Sequence, residues 1–177
     1  MLDTNRSDLH DNNRELAVAP SSNKTLADVM PDTDVFIGVS AKNALDASLI
    51  KVMAKNPIVF ALANPDPEVL PSAAFAVRDD LIMATGRSDF PNQVNNALCF
   101  PYLFRGALDA KAKKITDKMK VAAAKALSAL AREPVPAEVL VAYQLQSLSF
   151  GKDYIIPKPF DPRLMKYVST AVAEEAE

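Results

Sequence analysis

Three short apolar runs stand out along the chain: Val35-Phe36-Ile37-Gly38-Val39, Ile58-Val59-Phe60-Ala61-Leu62 and Leu81-Ile82-Met83-Ala84. Each has strand length and is apolar at nearly every position, the pattern of strands buried on both faces. Their starts are 23 residues apart in both cases. The intervals are helix-like. Ala47 to Lys55 places Leu49, Ile50 and Met53 on one side, and Glu68 to Val77 follows a Pro-rich turn. Strand, helix, strand at this spacing predicts βαβ units and a parallel sheet. Ahead of the first strand, Thr25 suits the cap of a short helix, Leu26 to Met30.

After residue 90 the pattern turns helical. Asn95 to Ala110 is largely apolar, with Pro101 expected to kink it. Thr116 is expected to cap the next helix, with Asp117 favourable in its first turn. Met119, Ala123, Ala126, Leu127 and Leu130 then share one face. Pro134 ends that helix, and a shorter one is expected over Ala137 to Leu145. A Pro-rich connection, Phe150 to Pro162, precedes a last helix from Arg163 to Ala176. Residues 1–24 are polar and read as loop or surface.

Composition adds limits. The 177 residues suit one domain, with 49% hydrophobic and 24% charged residues. The net charge is −2 and no basic stripe appears, which argues against a nucleic-acid partner. No apolar run is long enough to span a membrane. The single cysteine, Cys99, forms no internal disulfide, which fits a reducing cytoplasm. Cys99 reads as core packing, His10 as a surface residue, the lysines of 117–132 as a solvated face, and Arg105 as packing beside Phe100, Tyr102 and Phe104.

In an open parallel sheet, ligands bind outside the carboxyl ends of the strands. The three runs end in Ser40-Ala41, Asn64-Pro65 and Thr85-Gly86-Arg87. These loops are therefore expected side by side. In the second, two prolines stiffen the turn around Asn64, whose amide both donates and accepts. That suits a carboxamide or carboxylate. A plain helix-start turn opened by Pro67 and Glu68 explains the same residues. The third loop, Gly86 to Asn96, carries an arginine, acids and amides before an apolar helix. It suits carboxylate recognition, or capping by Asp89, Asn92 or Asn95.

Read together, DVFIGVSA (34–41), IVFALANPDPE (58–68), ATGRSDFPNQVNN (84–96) and FRGALDA (104–110) resemble the malic enzymes. The tail FGKDYIIPKPFDPRL (150–164) is similar to the larger bacterial members, which often continue into a phosphotransacetylase-like domain. The resemblance implies an α/β fold: a Rossmann-like parallel sheet with helices on both faces, followed by C-terminal helices. It also implies an incomplete domain. Residues 1–24 would be the remnant of its first half, 25–92 the βαβ units and 93–177 the helical part. It implies oxidation of malate by NAD or NADP, with NADP favoured, and decarboxylation to pyruvate with Mg2+ or Mn2+. A cytoplasmic homo-oligomer is expected for the complete enzyme. By resemblance, Ser40 and Ala41 border the cofactor ribose, Asn64 lies near nicotinamide and substrate, and Asn95 and Asn96 include a malate-binding amide.

The four glycines, Gly38, Gly86, Gly106 and Gly151, form no GxGxxG loop after a strand. The pyrophosphate cradle, the metal ligands, the lysine base and the tyrosine acid of the family are therefore expected upstream of residue 1. No catalytic or metal residue is assigned within the chain. Alone, it is expected to bind dinucleotide poorly, to turn over no malate and to leave its first strand as an open edge. Two alternatives remain: half of another Rossmann dehydrogenase, or a non-catalytic truncated module that pairs with a full-length subunit.

Overall fold

A computed structural model describes residues 2–23 and 25–176. Three strands form one parallel sheet in the order β1 (Val35–Gly38), β2 (Ile58–Ala61), β3 (Ile82–Thr85). The connections contain α3 (Ala47–Lys51) and α4 (Pro71–Val77). Before the sheet come two short helices, α1 (Asp11–Arg14) and α2 (Leu26–Val29). After it come a 3-10 turn (Asn96–Leu98), α5 (Phe100–Asp109), α6 (Asp117–Leu130), α7 (Ala137–Ala142) and α8 (Leu164–Glu174). Every strand and helix read from the pattern is present, most of them shorter than expected.

Caps set several boundaries. The Asp28 carboxylate accepts from both the backbone N–H and the hydroxyl of Thr25, at 2.8 and 2.9 Å. Asp46 accepts from Ser48 N–H and starts α3. Thr116 accepts from Met119 N–H and starts α6, as expected. Two prolines act differently from their reading. Pro101 does not kink a long helix; it stands in the first turn of α5, where its missing N–H costs nothing. Likewise Pro71, rather than Pro67 and Glu68, opens α4.

The sheet has one well-covered face. Val59, Ala61 and Met83 point toward α3 and α4 and join Ile50, Met53, Val69 and Ala74 in a buried cluster. Neighbouring parallel strands linked by right-handed crossovers place both connecting helices on the same side. On the other side Val35 is 44% and Ile37 63% exposed, and Ile58, Phe60 and Ile82 are half-buried. β1 is therefore not buried on both faces, although its composition reads that way. It lies at the sheet's edge, paired only with β2 among the described strands.

Arg78 locks the amino end of β3 to α3. Its guanidinium donates to the carbonyls of Ile50, Met53 and Ala54, at 3.0–3.1 Å. It also forms a bidentate pair with Asp80 at 2.6 and 2.7 Å, satisfying the helix's carboxyl end and holding the Asp80 carboxyl well below the usual range.

A second cluster is purely helical. Leu98, Leu103 and Ala107 meet Met119, Ala123, Ala126 and Leu130, and Leu164, Val168 and Val172 of α8 complete it. α5 and α8 approach closely at Gly106, where an added Cβ would collide with the Ser169 carbonyl and lie 2.8 Å from Val172 Cβ. The Pro-rich connection is ordered through Asn92. This buried side chain donates to the carbonyls of Met83 (2.9 Å) and Lys152 (2.7 Å) and accepts from Ile155 N–H (2.9 Å). Its backbone is left-handed, φ 54°, a conformation asparagine tolerates better than most residues.

Two stability changes are expected. Gly106→Ala, by forcing α8 away from α5, lowers the unfolding free energy by about 1–3 kcal/mol in urea titrations. Asn92→Ala leaves buried backbone groups unpaired, at roughly 1–3 kcal/mol per group, and exposes the 150–162 segment to limited proteolysis. Unchanged denaturation midpoints would contradict these packing roles.

Candidate functional site at the carboxyl ends of the strands

The site follows from the sheet register. Gly38 pairs with Ala61, and Ala61 with Thr85, so the strands end level with one another. The chain therefore leaves all three at one rim, and the loops carrying Ser40-Ala41, Asn64 and Gly86 to Asn96 emerge together.

A buried carboxylate ties the first two loops. Glu68 is 0% exposed. Its Oε1 accepts from Ser40 N–H at 2.7 Å and from the Ser40 hydroxyl at 3.1 Å, and its Oε2 accepts from Ala63 N–H at 3.1 Å. Burial opposes the charge, but the donors on Ser40 and Ala63 outweigh it and hold the carboxyl below its ordinary value. That stabilisation is therefore present above the unfolded glutamate's pKa and is lost as pH falls through the lower folded value. Glu68 needs the room that Gly38 leaves. A Cβ on Gly38 would come within 2.5 Å of Glu68 Cδ.

Ion pairs tie the third loop to the other two. Asp66 accepts from Lys42 at 3.0 Å and faces Arg87 at 3.4 Å, and Arg87 pairs with Asp89 at 2.7 Å. The Arg87 guanidinium also lies 5.4 Å from the centre of the Phe90 ring. These groups are partly exposed, so the pairs contribute little stability each. Together they nonetheless link the loops after β1, β2 and β3. Beyond β3, Val94 N–H donates to Thr85 O at 2.8 Å and Gln93 bridges to Thr85, which keeps Asn95 and Asn96 beside the strand end.

The structure places the five singled-out residues as follows. Ser40 and Ala41 are exposed just past β1, with the Ser40 N–H already occupied by Glu68. Asn64 is exposed at the rim, in a cis peptide with Pro65. Asn95 Oδ1 accepts from Ala97 N–H at 2.9 Å and caps the 3-10 turn. Asn96 is exposed in that turn. Of the three proposed caps, only Asn95 caps. Asp89 holds Arg87, and Asn92 is the buried tie described above.

Sequence reasoning missed Glu68, the residue most firmly embedded at the rim. A glutamate after Pro67 reads as a helix-start acid. Its one available signal was Gly38 inside an apolar strand, which often marks a close approach by another group. His10 is exposed and Cys99 half-buried, its thiol pushed up by burial; Arg105 pairs with Asp109 at 2.8 Å. Among the described residues no three His, Cys, Asp or Glu converge as a metal site. No described helix is long and apolar enough to cross a membrane. A groove of about 610 Å³ lies between α6 and α8, lined by residues such as Val121, Ala126 and Ala171, none of them from the rim loops.

Comparison with known proteins identifies the family and the fold. The family model described as the malic enzyme NAD binding domain matches residues 1–149. The NADP-dependent malic enzyme of Rhizobium meliloti is 56% identical over 153 residues, 86% of this chain and 20% of that protein. The NADP-dependent malic enzyme of Halomonas elongata is 52% identical over 176 residues, 99% of this chain and 42% of that protein. Among solved structures, the NAD-dependent malic enzyme of Thermotoga maritima superposes with a TM-score of 0.80 at 35% identity, over 99% of this chain and 43% of that one. The malic enzyme of Entamoeba histolytica gives 0.81 at 33%, over 98% and 35%. The chain thus spans less than half the length of these relatives, and it belongs to the malic enzyme family, matching the model of its NAD-binding domain over residues 1–149.

Proposed function

We propose that these residues form the nicotinamide- and substrate-facing rim of an enzyme that oxidatively decarboxylates malate to pyruvate and carbon dioxide with NADP. The observation that carries this reading is the level ending of the three strands, which gathers Ser40, Asn64 and the Asn95-Asn96 pair at one edge. The relatives named as NADP-dependent favour NADP over NAD, although one Rhizobium meliloti relative, 51% identical, is named as NAD-dependent.

The roles follow from the donor sets. Ser40 and Ala41 border the ribose. Asn64 is exposed and offers an amide N–H2 and a carbonyl, which match the two halves of a carboxamide. Because Asn95 spends its oxygen on Ala97 N–H, its N–H2 remains to donate to a carboxylate. Exposed Asn96 adds a second amide. A dinucleotide bound at this rim would supply the acceptor for the hydride removed from malate. What this chain contributes is orientation of the two reactants, worth much of the barrier when donors are held by a rigid frame. The described residues supply no acidic set for a divalent ion, so no step through a metal is assigned to them. We extend the reading to a cytoplasmic homo-oligomer that depends on Mg2+ or Mn2+.

The test is a hybrid enzyme. This chain replaces the matching stretch of the Halomonas elongata enzyme, and NADPH formation from malate is followed by absorbance. The hybrid is expected to turn over, whereas the 177-residue polypeptide alone gives no signal. Within the hybrid, Asn64→Ala is expected to lower kcat/KM by roughly tenfold to a hundredfold, as loss of one orienting contact does. A folded hybrid without activity, or ordinary malate turnover by the isolated chain, overturns the proposal.

A further inference from the structure

The rim owes its shape to a residue that touches neither reactant in the reading above. We propose that Glu68 is a positioning residue: its buried carboxylate fixes the loop after β1 against the loop after β2 and so sets the orientation of Ser40 and Asn64 toward a bound dinucleotide. The inference rests on the rim reading just given and adds a residue to it.

Three observations converge. First, the carboxylate reaches across two connections, accepting from Ser40 N–H and hydroxyl with one oxygen and from Ala63 N–H with the other. Ala63 immediately precedes Asn64, so the bond fixes the backbone from which the Asn64 amide projects. Second, the residue is fully buried, and a buried carboxylate is tolerated only where donors replace its water. Here those donors belong to the rim loops themselves. Third, β1 provides a cavity in the side-chain layer at Gly38, and Glu68 fills it. Any side chain there would displace the carboxylate. The Glu68 backbone adds to the tie, since its carbonyl accepts from Leu45 N–H at 3.1 Å, while the Pro67 carbonyl accepts from Asn43 N–H at 3.3 Å. One short segment therefore holds the first loop at both its start and its end.

The alternative is that Glu68 only stabilises the fold. The two differ in what an isosteric change moves. Glu68→Gln keeps volume and burial but turns one acceptor into an N–H2 that confronts an N–H. In the hybrid enzyme, a positioning role predicts a rise in KM for NADP of about tenfold or more, the scale of one charged hydrogen bond lost, with KM for malate changing much less. Gly38→Ala, which displaces the carboxylate without removing its charge, is expected to give the same profile. Glu68→Asp, which keeps the charge on a shorter arm, is expected to fall between.

A measurement on the unsubstituted 177-residue chain needs no variant to fold. Ser40 is an exposed loop residue, so its amide exchanges slowly with solvent deuterium only if Glu68 holds it. Slow exchange at Ser40 and Ala63 supports the proposal, and fast exchange at both overturns it. In the hybrid, Asn64→Ala separates the two levels of argument. If Asn64→Ala changes neither KM nor kcat, the rim reading fails. If Asn64→Ala impairs turnover while Glu68→Gln lowers only the melting temperature, the rim stands and the role of Glu68 is purely structural.

Discussion

One buried carboxylate ties together the loops at the carboxyl rim of the sheet. Parallel strands deliver their loops to a common rim, but delivery leaves each loop free to choose its own path. Glu68 removes that freedom for two of them by accepting three hydrogen bonds from their donors. A charge out of contact with water tolerates few arrangements other than the one that satisfies it. The strand beneath has adapted to it. Gly38 gives up a side chain, and with it packing area, so that the carboxylate can lie over the end of β1.

The rest of the molecule supports this edge at two further levels. Below the sheet, Arg78 closes the carboxyl end of α3 with three backbone bonds and an ion pair, which fixes the amino end of β3. Beyond the sheet, Asn92 connects β3 to the Pro-rich segment and thereby to α8 and the helical cluster. The two hydrophobic clusters are separate, and polar side chains rather than shared core residues join them. The ion pairs of Lys42, Asp66, Arg87 and Asp89 add a more exposed link across the top.

Among the large apolar residues left exposed, two groups lie on β1 and α5. On β1, Val35 and Ile37 are exposed, and on α5 Phe100, Phe104 and Leu108 form a stripe at 50%, 47% and 75% exposure. In sequence these residues are indistinguishable from core. An apolar run states that burial is favourable, not which surface provides it, and a strand at a sheet edge has the same composition as one in the middle.

Much of the architecture was nevertheless present in the linear pattern. Apolar runs at even spacing specified a parallel βαβ sheet because strand length and crossover length leave few other solutions. From the same topology rule came the grouping of Ser40, Asn64 and Asn95-Asn96 at one edge, and local chemistry alone placed the caps at Thr25 and Thr116. The roles of Glu68, Asn92 and Asp89 depended on tertiary structure. Each bonds or pairs through its side chain, two of them with groups far along the chain, and local composition offers each a plausible cap or turn role instead. Residue type and spacing determine what a side chain is able to bond. Only the packed fold decides which donor arrives within 3 Å, because burial removes the water that would otherwise serve as its partner.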